Sequence, residues 1–146
     1  LAQGDFLPPR RASSDRLVLS GGHMPCVTVE QVENLPSGVV LVDARDESSF
    51  LAGAIPRAIN LPSAGQWTPG SALRTVDEIR ALYEQAGTLD GSEVVAYCGG
   101  GVLSALTVLT LSAIGPTPGL FVGSWSEWNK SPQRMARSAA GRSAAP

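Results

Sequence analysis

The stretch VVAYCGGGVLSAL, residues 94–106, joins two apolar segments through one cysteine and three glycines. The first segment, EVVAYC at 93–98, is a short apolar run typical of a strand that is buried on both faces. The second, VLSALTVLTLSAIG at 102–115, is apolar almost all round, which indicates a helix packed deep against a sheet. Cys98 and the glycines after it are therefore expected at the carboxyl end of a buried strand, just before a helix.

Strands and helices are predicted to alternate on both sides of this stretch. The remaining predicted segments are a short strand and a brief helix in VTVEQVENLP (27–36), a buried strand in GVVLVDAR (38–45), a helix in TVDEIRALYEQAG (75–87) and a strand in GLFVGS (119–124). Two of the helices open with capping boxes, Thr28 with Gln31 and Thr75 with Glu78. This alternation predicts an α/β fold, with a mainly parallel central sheet between two layers of helices.

The composition divides the chain into one domain and two ends. Residues 1–26 mix Pro, Gly, Ser and Arg without periodicity, which predicts an N-terminal arm or interdomain connector. Residues 131–146 have the same character and are expected to form a disordered tail. Residues 27–130 are long enough for a single core.

The compartment is predicted from what the sequence lacks. No apolar run approaches the roughly 18 residues that a membrane span requires. The first 20 residues also lack the basic start and apolar core of a secretory signal. We therefore expect a cytoplasmic protein with no membrane partner, and the Leu1 start suggests a processed chain or a piece of a longer one.

The predicted domain is acidic. Of the 13 acidic residues, all but Asp5 and Asp15 lie between Val27 and Asn129, whereas only four of the 11 basic residues do. Contacts with phosphates require basic patches, so nucleic acid is not expected as a partner of this domain.

The cysteine content directs attention to thiol chemistry. Cys26 and Cys98 are too few for a disulfide framework, and no Cys or His cluster has the spacing of zinc ligands. We therefore predict no metal site.

The glycine loop is suited to holding an anion near Cys98. Ligands of parallel α/β sheets bind beyond the carboxyl ends of the strands, and a helix N-terminus there favours a thiolate. Gly99, Gly100 and Gly101 lack Cβ atoms, so several amides can face one point. The anion could be a thiolate, a persulfide, a sulfur oxyanion or a phosphate. The alternative is a buried, inert cysteine followed by a flexible turn.

Phosphate chemistry is disfavoured by the residues that follow. A cysteine phosphatase requires Cys-x5-Arg, and the sixth residue after Cys98 is Ser104. No Gly-Lys-Ser/Thr follows the glycines, so the loop is not of the nucleotide-binding type.

The chain resembles the rhodanese family of sulfurtransferases over roughly Val27–Asn129. The resemblance rests on VVLVDARDESSFLAGAIPRAINLP (39–62), VVAYCGGGVLSA (94–105) and FVGSWSEW (121–128), in the order and spacing of that family. It is greatest to the C-terminal, catalytic half of tandem-domain thiosulfate or 3-mercaptopyruvate sulfurtransferases.

This resemblance implies a function for the loop. Cys98 would be the nucleophile that accepts a sulfane sulfur as a persulfide and passes it to cyanide or a thiol, without any cofactor. The residues of the substrate-binding loop would be Gly99, Gly100, Gly101, Val102, Leu103 and Ser104. A missing N-terminal rhodanese-like domain would be a possible partner.

The loop also departs from the family pattern. Mercaptopyruvate-type loops read Cys-Gly-Ser-Gly-Val-Thr, and this chain has Gly100 in place of the Ser and Leu103 in place of the Thr. Thiosulfate-type loops carry cations directly after the cysteine, which are absent here. The alternative function is therefore a catalytically weak sulfur-relay or protein-interaction domain.

Three further positions near strand ends are candidates for the site. Asp43 and Arg45 are predicted to form a buried ion pair or a loop anchor that shapes the pocket wall, with direct substrate contact as the alternative. Trp125 is a candidate for the same wall, and Ser124 is expected to cap the helix that contains it.

Overall fold

A computed structural model describes residues 24–115 and 118–143 of the chain. Its sheet has five strands: β1 (Cys26–Val27), β2 (Val39–Asp43), β3 (Ile59–Asn60), β4 (Glu93–Tyr97) and β5 (Gly119–Phe121). Their order is β1-β5-β4-β2-β3, and every pair of neighbours is parallel. The longest strands, β2 and β4, lie side by side at the centre, as their apolar runs predicted.

Helices cover both faces of the sheet. They are α1 (Val29–Glu33), α2 (Glu47–Ala52), α3 (Val76–Gln85), α4 (Val102–Ile114), α5 (Ser124–Trp128) and α6 (Pro132–Ser143), with a 3-10 helix at Ser63–Gln66. Both predicted capping boxes are present, at the starts of α1 and α3. The three-layer α/β prediction is thus confirmed.

The core lies in two layers because successive strand residues point to opposite faces. On one face Tyr97 and Phe121 pack with Trp128 of α5 and with the apolar side of α1. On the other face Val94 packs against α3 and α4, and Ala96 packs against Val108 of α4. Cys98 follows Ala96 by two residues, so its side chain is on the α4 face.

The expectation of a disordered tail from residue 131 is wrong as far as residue 143. Helix α6 occupies Pro132–Ser143, and its Arg134 and Arg137 both bind the carboxylate of Glu33 in α1. The buried hydroxyl of Ser138 accepts a hydrogen bond from the indole of Trp128 at 3.1 Å. The helix docks through these polar contacts, and its residues are polar on average, a composition that favoured the expectation of a tail. Residues 144–146 lie outside the described part.

Three short elements were also missed, of which one is strand β3 at Ile59–Asn60. Asp46 caps α2 by accepting a hydrogen bond from the amide of Ser49. The sequence does contain this helix start, as an aspartate at the N-cap position followed by the acidic Glu47 in the first turn. The 3-10 helix at 63–66 has no side-chain cap. Of the predicted N-terminal arm, residues 1–23 lie outside the described part and Cys26 begins β1. No described helix combines the length and apolar character needed to cross a membrane.

Candidate active site

Cys98 is the first residue after β4, at the centre of the carboxyl edge of the sheet. Asp43 of β2 pairs with Tyr97 of β4, so extending this register by one residue places Ala44 beside Cys98. Cys98 is 1% exposed, whereas Gly99 and Gly100, which follow it, are exposed to solvent. The thiol therefore lies just beneath a surface loop.

The loop directs hydrogen-bond donors at the sulfur. The backbone N–H of Gly101 donates to Cys98 Sγ at 3.1 Å. The hydroxyl of Ser104 lies 3.5 Å from the same sulfur and 3.2 Å from the carbonyl oxygen of Gly101. A hydroxyl can rotate between the two acceptors, so it can follow a change of charge on the sulfur.

These donors lower the pKa of Cys98. Burial of the thiol acts in the opposite direction, because it disfavours the charged form. Hydrogen bonds from the Ser104 hydroxyl and from the amides of Ser104, Gly100 and Gly101 outweigh burial and bring the pKa below that of an ordinary thiol. At a given pH the thiolate of Cys98 is therefore more populated than that of an ordinary thiol.

Helix α5 orients the amides by holding the carbonyls of the same loop. The amide of Trp125 donates to the carbonyl oxygen of Cys98 at 3.0 Å, and that of Ser126 donates to the carbonyl oxygen of Gly99 at 2.9 Å. With these carbonyls turned toward α5, the N–H groups later in the loop turn toward the sulfur.

Ser124 does not cap α5 as predicted. It is the first residue of the helix, with φ of 51°, and the N-cap is Gly123. Its hydroxyl accepts a hydrogen bond from the amide of Cys98 at 3.1 Å and donates to the carbonyl of Phe121 at 2.9 Å. This contact joins residues 26 positions apart, so local sequence reasoning had no means of finding it.

Of the three glycines, the structure requires Gly101 most clearly. Its φ is +88°, and a Cβ atom there would lie 2.7 Å from the carbonyl oxygen of Val122. A Cβ at Gly99 or Gly100 would meet nothing within 4 Å. The tight turn into α4 therefore depends on the third glycine.

Val102 and Leu103 begin α4 with exposed side chains. They are 80% and 47% exposed, respectively, whereas Ser104 is fully buried beneath them. The predicted loop 99–104 therefore consists of a surface turn at 99–101 and the first three residues of α4. Its backbone and Ser104 face the sulfur, while the side chains of Val102 and Leu103 face solvent.

Asp43 and Arg45 form a buried pair on the opposite face of the sheet from the thiol. The guanidinium Nε donates to the Asp43 carboxylate at 3.0 Å, and Nη2 donates to the carbonyl of Gly53 at 2.7 Å. The guanidinium also stacks on Trp125, 4.7 Å from the ring centroid. Trp125 therefore contacts the ion pair. Trp125 and the ion pair lie on one face of the sheet, and the thiol lies on the other.

A cavity of about 340 Å³ lies beside the loop. Its lining residues are Ala44, Asp46, Pro62, Ser63, Ala64, Trp67 and Leu103. The amide of Ala44 donates to the carbonyl of Tyr97 at 2.8 Å, which joins this wall to the strand that ends at Cys98. Within the described residues, no group of three or more His, Cys, Asp or Glu side chains is arranged to hold a metal ion.

Comparison with known proteins assigns the domain. Residues 28–131 match the model of the rhodanese-like domain, and they include the cysteine loop, strands β2 to β5 and α5. The chain belongs to the rhodanese-like family. Among relatives, the "Putative thiosulfate sulfurtransferase SseB" of Mycobacterium tuberculosis is 39% identical over 106 residues, which are 66% of this chain and 37% of that protein.

Other relatives of this rhodanese-like chain include mercaptopyruvate enzymes. The 3-mercaptopyruvate sulfurtransferase of Escherichia coli is 32% identical over 103 residues, covering 60% of this chain and 35% of that protein. The solved 3-mercaptopyruvate sulfurtransferase from Leishmania major is 26% identical, with a TM-score of 0.64 over 79% of this chain and 36% of that one. The rhodanese-like chain thus spans about a third of the length of these sulfurtransferases.

Proposed function

We propose that this domain transfers sulfane sulfur through a persulfide on Cys98. The observation that carries the proposal is the convergence of the Gly101 amide and the Ser104 hydroxyl on Cys98 Sγ, at 3.1 and 3.5 Å. Membership of the rhodanese-like family and the sulfurtransferase relatives support the same chemistry.

In the first half-reaction the Cys98 thiolate attacks the sulfane sulfur of the donor. A new S–S bond forms to Cys98, and the bond between the sulfane sulfur and the rest of the donor breaks. From thiosulfate the leaving group is sulfite, which departs with the electron pair. From 3-mercaptopyruvate a C–S bond breaks and the carbon takes up a proton as pyruvate forms. Both are proposed donors.

In the second half-reaction an acceptor attacks the outer sulfur of the persulfide. With cyanide the products are thiocyanate and the Cys98 thiolate, and with a thiol the outer sulfur becomes a new persulfide. Negative charge rests on sulfur before and after each step, so the amides that favour the thiolate also stabilise the persulfide anion. No step requires an added cofactor.

The loop 99–104 would hold the transferred sulfur through its backbone and Ser104. The Asp43–Arg45 pair, by contrast, lies on the opposite face of the sheet from the thiol, and the Nε and Nη2 groups of Arg45 bind Asp43 and the carbonyl of Gly53. We therefore propose an indirect role for this pair, in place of substrate contact.

Intact mass spectrometry tests the proposal. Wild-type protein exposed to thiosulfate or to 3-mercaptopyruvate should gain the mass of one sulfur atom, and a reductant should remove it. The Cys98→Ser variant should gain nothing. Cys26→Ser is the matched control, because Cys26 is an exposed free thiol in β1, and it should load like the wild type. Loading that persists in Cys98→Ser and disappears in Cys26→Ser would contradict the proposal.

A sulfur-relay domain is a second candidate, favoured by the absence of Lys and Arg from residues 99–104. A relay would load Cys98 once and release the sulfur only to a partner protein. Counting thiocyanate per chain separates the two: many equivalents indicate an enzyme, and at most one indicates a relay.

A further inference from the structure

The cavity lined by Ala44 and Leu103 opens on the same face of the sheet as the Cys98 side chain. Ala96 packs against Val108 of α4, and strand alternation places Cys98 on that α4 face. Ala44 is its neighbour across the sheet by register, and Leu103 is in the first turn of α4. A molecule in this cavity therefore contacts Ala44, which adjoins Cys98, on the face of the sheet that carries the thiol, although Cys98 itself, 1% exposed, is not in the lining.

The lining of this cavity is mainly apolar. Ala44, Pro62, Ala64, Trp67 and Leu103 supply most of it, and Trp67 and Leu103 are 42% and 47% exposed. The only polar side chains in the lining are Ser63 and Asp46, and no Lys or Arg is among these residues.

The single charge in the lining is negative. Hydrogen bonds from the Ser48 hydroxyl and from the amide and hydroxyl of Ser49 hold the pKa of Asp46 far below its usual range, so the carboxylate is ionised at neutral pH. A second negative charge in this cavity would be repelled by it.

Arg45 and Arg74, which lie near the cavity in sequence, are engaged elsewhere. Arg45 is paired with Asp43 on the opposite face of the sheet. Arg74 donates to the carbonyl of Gly65 at 2.8 Å and pairs with Glu78. Neither guanidinium lines the cavity, so an anionic donor would gain no ion pair from them there.

We propose that this cavity holds the tail of the sulfur donor, and that it selects donors with an apolar tail over the dianion thiosulfate. The inference rests on the proposed function, because it names the substrate class of the same nucleophile. An organic thiosulfonate is a donor of the required kind. The Cys98 thiolate attacks its sulfane sulfur, the S–S bond to the sulfonyl group breaks, and an organic sulfinate leaves with the electron pair. The persulfide keeps the charge that the thiolate brought.

The test compares three donors on the whole chain, with cyanide as acceptor. Benzenethiosulfonate and methanethiosulfonate carry the same single charge and differ only in their tails, whereas thiosulfate is a dianion. Each kcat/KM is divided by the rate of that donor with a free thiol, which removes differences in intrinsic reactivity. We expect the corrected kcat/KM to be about tenfold higher for benzenethiosulfonate than for methanethiosulfonate, and lowest for thiosulfate.

Variants of the cavity wall test where the preference arises. The ratio of the corrected kcat/KM for benzenethiosulfonate to that for methanethiosulfonate should fall about fivefold in Trp67→Ala and in Leu103→Ser. Each substitution removes apolar contact area from the cavity wall. Leu109→Ser is the matched control. Leu109 is also an exposed leucine of α4, at 64%, but it lies outside the cavity lining, so its loss should leave the ratio unchanged.

The charge at Asp46 is tested separately. Asp46→Asn keeps a side chain that can cap α2 and should raise the kcat/KM for thiosulfate about threefold at low ionic strength. Asp90→Asn is the control, because Asp90 hydrogen-bonds Ser92 at the amino end of β4, away from the cavity.

The outcomes distinguish this inference from the proposed function. If Cys98 loads from every donor with equal corrected kcat/KM, or if the ratio is the same in Trp67→Ala and Leu103→Ser as in the wild type, the donor preference is wrong and persulfide transfer stands. If no donor loads Cys98, both are wrong.

Discussion

The hydroxyl of Ser124 holds the backbone of Cys98 by accepting its N–H at 3.1 Å. Both residues are buried, and the same hydroxyl donates to the carbonyl of Phe121. Cys98 is thereby joined to the end of the neighbouring strand β5, so movement of one strand end displaces the other.

Removal of the Ser124 hydroxyl tests whether its hydrogen bonds to Cys98 and Phe121 stabilise the fold. Ser124→Ala leaves the buried Cys98 N–H without its partner, and we expect a loss of about 1–3 kcal/mol in the free energy of unfolding. The measurement is urea denaturation. Ser126→Ala is the matched control, because Ser126 is exposed and its backbone amide still binds the carbonyl of Gly99. Equal losses in the two variants would contradict a special role for Ser124.

The reactivity of Cys98 should depend on pH in a way that reports its lowered pKa. The alkylation rate follows the thiolate fraction, so it rises with pH and levels off above the pKa. Its midpoint should fall below that of a free cysteine derivative measured in parallel.

Ser104→Ala should move that midpoint upward, since one donor to the sulfur is lost. We expect persulfide loading to slow about tenfold, in keeping with the loss of a hydrogen bond to a charged group. An unchanged midpoint in Ser104→Ala would show that the backbone amides alone set the acidity of the thiol. Cys26→Ser assigns the measured rate to Cys98.

The third glycine of the loop should tolerate substitution least. Gly101→Ala forces a Cβ to within 2.7 Å of the Val122 carbonyl oxygen, at a φ of +88°. We expect a loss of about 1–3 kcal/mol in the free energy of unfolding, together with slower persulfide loading. Gly100→Ala is the control, because its Cβ would meet nothing within 4 Å. Similar losses in both variants would show that the turn relaxes around the added methyl group.

Helix α6 should contribute to stability through Trp128. Ser138→Ala removes the acceptor of the buried indole N–H, and we expect a loss of about 1–2 kcal/mol in the free energy of unfolding. Ala139→Ser at the neighbouring exposed position should cost about 0.5 kcal/mol or less, the difference in helix propensity. If both changes have the same small effect in denaturation experiments, α6 does not stabilise the core through this bond.

The elements predicted from sequence are those that bury continuous apolar surface. The runs that became β2, β4 and α4 lie in the centre of the domain, where apolar composition determines position. Cys98 was placed correctly because it ends one such run and precedes another. Helix α6 was missed because its residues are polar on average and because Glu33, to which Arg134 binds, lies 101 positions away in the sequence.

The finer geometry of the site could not be predicted, because it depends on the register between strands. Pairing of Asp43 with Tyr97 sets Ala44 beside Cys98 and turns Asp43 and Arg45 to the other face. The Ser124 contact likewise requires β5 to lie next to β4, an order that no single segment encodes.

In the loop after Cys98, the groups that face the sulfur differ from the side chains that face solvent. Main-chain nitrogens, which every amino acid except proline supplies, and the buried hydroxyl of Ser104 face the sulfur, while the side chains of Val102 and Leu103 point outward. Exchange of those outward groups can therefore alter which molecules dock while the acidity of the thiol is retained. Reactivity and selectivity in this domain can be engineered independently.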